Sequence, residues 1–182
     1  DINIKGTVTN YMFASCSNLE TLNISAKNVE PLAFGSASKL STVSWNVSNP
    51  KDYTETQNPF VNAGQIQTVT IGEAATRIPD YLFCMKEKIT QIDIPSTTTE
   101  IGHFAFAYTN LSQLTIHENV KTLGVQAFGA YGLKEITYNA VNAALKTTNM
   151  PSVTGADQTE IRAVQDAHLL IDMPFVAGGV EP

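Results

Sequence analysis

The chain has 182 residues, 43% of them hydrophobic and only 15% charged, and a formal net charge of −6. That length holds one ordinary domain or a run of repeats, and the low charge leaves Thr, Ser, Asn and Gln to cover the surface. No cluster of Lys or Arg supplies the basic footprint that duplex binding needs, so no nucleic-acid partner is expected. No apolar run approaches the roughly 20 residues of a bilayer-spanning helix, so no membrane insertion by this segment is expected either.

The opening DINIKG lacks the basic and apolar regions of a signal peptide, and Ile2 and Ile4 read as the strand of an incomplete first repeat. An apolar 1-4-6 spacing then recurs along the chain. It appears as Leu19, Leu22, Ile24; Leu40, Val43, Trp45; Ile66, Val69, Ile71; Ile89, Ile92, Ile94; Leu111, Leu114, Ile116; and Leu133, Ile136, Tyr138. Its first positions lie 21, 26, 23, 22 and 22 residues apart. A phenylalanine precedes each by five or six residues: Phe13, Phe34, Phe60, Phe83, Phe106 and Phe128. Five residues before most of these sits an aliphatic (Val8, Val29, Ile78, Ile101, Leu123), which the third unit lacks.

Within each unit the end of the 1-4-6 pattern alternates in and out, as a short strand does. One such strand cannot bury its own apolar face. Neighbours stacked in parallel at about 4.8 Å per rung bury a continuous ladder of Leu and Ile. The spacing therefore predicts a β-rich repeat solenoid of short stacked parallel strands, with a phenylalanine ladder along the opposite wall. Segments after Phe, such as Ala14–Asn18, read as turns. Segments such as Val120–Ala127 are either a short helical turn or a second strand. Any helix is limited to such turns.

Two interruptions stand out. The stretch Asn46–Pro59 is polar, carries two Asn-Pro signals and predicts a loop on one edge of the solenoid. From residue 141 earlier repeats are echoed only loosely, and the tail 162–182 breaks the pattern. The expected division is a solenoid over 1–140, with six registered repeats and a partial N-terminal one. A degenerate repeat or irregular end over 141–182 follows, in a fragment of a longer protein. Trp45 and Tyr138 stand in the sixth slot, either wedging the longer repeats or offering an exposed aromatic platform.

Ile94-Pro95 followed by Glu100-Ile101-Gly102-His103-Phe104-Ala105-Phe106 and Leu111 resembles the BspA-type leucine-rich repeat. Thr122–Phe128 repeats the match, and Arg77–Phe83 is a variant of it. The resemblance covers residues 1–140. It implies a bacterial or protozoan cell-surface or secreted repeat protein, with adhesion as one role in such proteins.

The residues give no pattern for catalysis, so no catalytic residue, metal site or cofactor is expected. His103, His117 and His168 have no paired ligands at metal spacing, and His103 and His117 read as exposed variable positions. No Gly-x-Ser-x-Gly elbow appears, and Cys16 and Cys84 read as inert half-buried thiols beside the phenylalanine turns. These cysteines lie three rungs apart, about 14 Å on the strand spacing, which is too far for a disulfide. Asp93 and Glu135 lie two rungs apart with no evident cleft to converge on. Three Asn-x-Ser acceptor patterns, at Asn23, Asn46 and Asn110, matter only in a eukaryotic secretory setting.

The outward strand face remains. Residues flanking the fourth strand position point away from the core, and among them Asn23, Ser44, Thr70, Gln91, Asp93, Gln113, Thr115, Glu135 and Thr137 are the candidate binding residues. Thr is also favoured on any solvated strand. The expected function is a non-catalytic, cell-surface or secreted interaction module that adheres to a host protein, matrix component or glycan. The alternatives are a structural spacer in a larger surface protein and, more remotely, an enzyme.

Overall fold

The computed structural model describes residues 2–130, 132–140 and 143–145, over which the chain winds into a β-solenoid of about six turns. Ten strands follow in chain order: β1 (Ile2–Val8), β2 (Thr21–Val29), β3 (Thr42–Val47), β4 (Thr68–Ile71), β5 (Arg77–Ile78), β6 (Glu100–Ile101), β7 (Gln113–Ile116), β8 (Thr122–Leu123), β9 (Glu135–Tyr138) and β10 (Ala144–Leu145). There is no helix among the described residues. Every strand pairing is parallel.

The first wall holds β1 to β4 in sequence, then the β7–β9 pair. Its register joins Leu22 to Val43 to Val69, and Ile24 to Trp45 to Ile71, so the fourth and sixth slots of successive units stack as their spacing predicts. Along β2 and β4 the side chains alternate between exposed and buried. This is the period-2 pattern of a sheet with one solvated face. The second wall settles the alternative left open by the sequence. Ile78, Ile101, Leu123 and Leu145 pair in a second ladder of two-residue strands, so this segment is strand. The irregular end expected over 141–182 lies outside the described residues apart from 143–145.

The phenylalanines close the core at the turn. Successive rings from Phe13 through Phe34, Phe60, Phe83 and Phe106 to Phe128 stack with centroids 5.4–5.8 Å apart and planes within 3–21° of parallel. Five of the six are fully buried, and Phe13 is partly buried. Each offset pair contributes roughly 0.5–1.5 kcal/mol beyond the area it buries. Backbone bonds hold the rings in step, with Phe13 N–H donating to Ala33 O, Phe83 to Ala105 O and Phe106 to Ala127 O at 2.8–2.9 Å.

The third unit repairs its missing aliphatic with a tyrosine. Its long loop first continues the β2–β3 ladder, where Ser48 N–H bonds to Ala26 O and Asn49 N–H to Lys27 O. Tyr53 enters the core, 5% exposed, and its hydroxyl donates to Val29 O at 2.7 Å. A phenol fills the wall here because the loop gives its oxygen a partner, without which burial would cost about 1–3 kcal/mol. Trp45 lies wholly inside, edge-on to Phe60 at 5.8 Å. The exposed-platform alternative for it is therefore overturned, and Ile24, Ile71, Ile94 and Ile116 in the same slot are buried as well.

At the corner after the second wall, backbone packs on backbone. A Cβ on Gly124 would collide with Gly102 C and His103 N, and one on Gly102 would collide with Asp80 N. This close approach is why Gly follows Ile101 and Leu123. Just beyond, the residue two before Phe is left-handed in five units: Tyr11, Leu32, Tyr81, Phe104 and Gln126, with φ of 48–61°. Such a conformation costs about 1 kcal/mol for a residue with a Cβ. Bonds to the next rung hold it, among them Tyr81 N–H to His103 O and Phe104 N–H to Val125 O.

Gly124→Ala is expected to destabilise the fold by about 2 kcal/mol or more in urea unfolding, because rigid backbone must move apart. Gly64→Ala, where a Cβ meets nothing within 4 Å, should change stability by less than about 0.5 kcal/mol. Equal effects at the two positions would contradict the close-packed corner.

Candidate functional site

Alternation along the first wall puts the candidate binding residues on one solvated face. Asn23, Thr70, Gln91, Asp93, Gln113, Thr115, Glu135 and Thr137 are exposed there, and Ser44 is half-buried. Parallel register aligns them in rows, with Asn23 beside Ser44 and Ser44 beside Thr70. Gln113 pairs with Glu135 and Thr115 with Thr137, and Gln113 Nε2 donates to Glu135 Oε2 at 3.0 Å.

The face is not uniform. Among the described residues, the strand segment of the fourth unit is tied to β4 by a single bridge, Thr70 to Asp93. Pro95, directly after it, has no backbone donor to extend a ladder. The sheet splays there into a depression of about 580 Å³. Its wall includes Gln67, Thr68, Thr90, Gln91, Asp93, Gln113 and Thr115 over a floor of Val69, Ile92 and Leu114. Five candidate residues converge on this part of the face: Thr70 and Asp93 through the bridge, and Gln91, Gln113 and Thr115 through the lining. Asn23, Ser44, Glu135 and Thr137 lie on the flanking rungs.

Opposite this face lies an ion-pair node that the sequence did not reveal. Arg77 bonds through Nε and Nη2 to Glu100 Oε1 at 3.1 Å, through Nη2 to Asp52 Oδ1, and through Nη1 to Pro50 O at 2.7 Å. Burial disfavours the guanidinium charge, but the Glu100 hydrogen bond and the Asp52 carboxylate outweigh it and raise the pKa above its ordinary value. The node staples the long loop to units four and five. Asp80 extends it, since its N–H donates to Asp52 Oδ1 and its own Oδ1 accepts from His103 N–H at 2.8 Å.

His103 corrects an expectation. It is fully buried rather than exposed, and its Nδ1 accepts from Val125 N–H at 2.9 Å. The corner glycines bring adjacent rungs so close that the residue after Gly102 faces its neighbours instead of water. The thiols stay apart as expected: both are free, Cys16 exposed and Cys84 buried.

Unit four also buries a lysine. Lys86 is 2% exposed at the slot three after Phe, where Ala37, Ala63 and Thr109 stand in other units. Its Nζ donates to Cys84 O at 3.2 Å. Burial pulls its pKa down to about 8, and burial pushes the neighbouring Cys84 thiol up to about 11. At the turn edge beside them, Tyr81 stacks on Phe104 at 5.1 Å. Burial, followed by Cys84, Asp80 and Glu55, raises its phenol to about 12.

Comparison with known proteins agrees with this architecture. The model of the BspA type leucine rich repeat region matches in six copies, over residues 6–134 and 56–154. The chain is similar in structure to a leucine-rich cell surface protein from Faecalibacterium prausnitzii A2-165, with a TM-score of 0.57 and 23% identity over 76% of this chain. It spans 39% of that protein's length, and at this identity the likeness bears on the fold alone. No curated protein matches the chain significantly. Among the described residues no helix is long and apolar enough to cross a membrane.

Lys86 predicts a pH signature. Its folded pKa lies below the unfolded value, so between about pH 8 and 10.5 the unfolded chain binds the extra proton and stability rises with pH. Cys84 acts in the opposite sense between about pH 9 and 11, because its folded pKa is raised. Lys86→Met is expected to stabilise the chain at pH 7 by on the order of 3 kcal/mol. That advantage should shrink towards pH 10. Thermal unfolding of both proteins from pH 6.5 to 10 checks it, and an advantage independent of pH would rule out the neutral buried amine.

Proposed function

This chain belongs to the BspA-type leucine-rich repeat family, and from that premise we propose that it is a non-catalytic interaction module, secreted or held at a cell surface. Its ligand is a protein or a glycan bound on the outward face of the first wall. The observation that carries the reading is the polar depression around Gln91 and Asp93, set in a row of exposed Thr, Gln and Asp side chains. Amides, hydroxyls and a carboxylate over a small apolar floor are the groups that hold a polar ligand in register. The stacked rungs beneath fix their spacing before a ligand arrives, which lowers the ordering cost of binding. The surface location draws on the family and on the fold shared with a leucine-rich cell surface protein.

Two of the groups that resemble catalytic ones, His103 and Cys84, are committed to structure. His103 is buried against Val125, and Cys84 is buried with a raised pKa, the reverse of what a nucleophilic thiol needs. A spacer role is the second reading. The unbroken stack of six phenylalanines favours it, since it makes the array a stiff rod whatever its surface binds.

A screen of the purified chain against matrix proteins and glycans, by immobilised-ligand binding, separates the two. A ligand held on this face should lose about tenfold or more in affinity with Thr70→Trp, Asp93→Trp and Thr115→Trp combined, because the bulky rings fill the depression. The melting temperature should stay nearly unchanged, as all three side chains point to water. Undiminished binding in the triple variant moves the site elsewhere, and no retained ligand at all favours the spacer.

A further inference from the structure

The turn edge of units four and five differs from the rest of the array. Two residues before Phe and two residues after it, both units carry bulky side chains on left-handed backbone: Tyr81, Met85, Phe104 and Tyr108, with φ of 53–59°. Elsewhere the position after Phe holds Ser15, Ser36 and Asn62. Large side chains in this conformation are costly, and all four are locked by rung-to-rung bonds of 2.7–3.0 Å. Met85 is 49% exposed, and the three aromatic rings are partly so.

Tyr81 has two faces, and they differ. Phe104 covers one, with planes 13° from parallel. The other looks towards unit three, where the next position of the same row is Asn58. That side chain is turned inward: its Nδ2 donates to Glu55 O and its Oδ1 accepts from Phe60 N–H, both at 2.9 Å. Asn58 is 2% exposed, so the ring row stops at Tyr81. The side chain of Glu55, in the exposed turn at this end, contributes negative charge at both Tyr81 and Cys84.

We propose that the outer face of Tyr81, beside the Glu55 carboxylate, binds an arginine guanidinium of a partner protein. This docking point is separate from the strand face and does not depend on it. A guanidinium is planar, so it continues the ring row by one layer. It is also cationic, which suits both the face of a phenol ring and the negative charge of Glu55, whose turn holds Asn58 in the next position of the row. Met85, 49% exposed on the same rung, offers apolar surface to the methylenes of the arginine stem. Charge complementarity decides for a cation: Glu55 and the buried Asp80 both add negative charge at the ring, while the neighbouring Lys86 is buried and donates to Cys84 O.

A two-dimensional amide NMR titration of the full chain at low ionic strength tests this, with Ac-Gly-Ser-Arg-Ser-Gly-NH2 as the probe. Saturable shifts are expected at residues 55–58, 81–85 and 104–108, with millimolar affinity. The citrulline peptide, equal in shape but uncharged, and the lysine peptide, charged but not planar, should each bind about threefold or more weakly. Glu55→Gln should weaken the arginine peptide by a similar factor, since only the carboxylate is altered and the Glu55 carbonyl keeps Asn58. Glu118→Gln should leave binding intact. Shifts spread over acidic residues at large, equal binding of all three peptides, no saturable shift, or an unaltered Glu55→Gln titration would each overturn the proposal. Loss of ligand on the strand face in the triple-Trp variant has no bearing on it.

Discussion

Each rung of this solenoid must lie about one strand spacing from the next, and that single distance disciplines everything else. It requires side chains of like size to recur at like positions, because each buried residue touches its counterparts above and below. The phenylalanine stack is the clearest consequence, with five ring pairs at nearly one separation. The corner glycines are the sharpest one, since at Gly102 and Gly124 the spacing leaves no room for even a Cβ. The left-handed residues two positions before Phe are another, with strain tolerated at Leu32, Tyr81 and Phe104 because the next rung accepts the N–H.

Departures from the repeat gather where the spacing is perturbed. The long loop of unit three removes an aliphatic and brings Tyr53 in its place, then anchors through Asp52 and Pro50 to Arg77. Unit four, which follows, holds the one splayed strand segment among the described residues, the buried Lys86 and the aromatic turn edge. Both surfaces discussed as docking points therefore belong to the same stretch of the rod, on different edges. A regular array offers the same chemistry on every rung. Specific recognition needs rungs that differ, and those from Asn46 to Thr115 supply the difference.

Much of the fold was legible in the residues. The 1-4-6 slots, the phenylalanines and the aliphatics ahead of them each occupy the positions their spacing assigned, because periodic burial leaves a periodic trace. The solvated alternation of Thr70, Gln113 and Thr115 was readable for the same reason. Tyr53, Arg77, Lys86 and His103 were not. The partners of Tyr53, Arg77 and His103 lie 20 or more residues away, such as Val29 for Tyr53 and Glu100 for Arg77. His103 looked like a variable surface position, and only the tight corner buries it.

The sequence by itself determined the rung: its length, its inward residues, its turn and the parallel stacking that alone can bury such short strands. It determined the family for the same reason, since Ile-Gly and Ala-Phe are the marks that stacking leaves on a chain. Only the tertiary structure decided that the second segment is a strand, that the third unit borrows a tyrosine, and that the sheet opens at Asp93. It alone ended the Tyr81 ring row beside Glu55. Those outcomes depend on contacts between rungs, and a contact between residues far apart in the chain leaves no period to read.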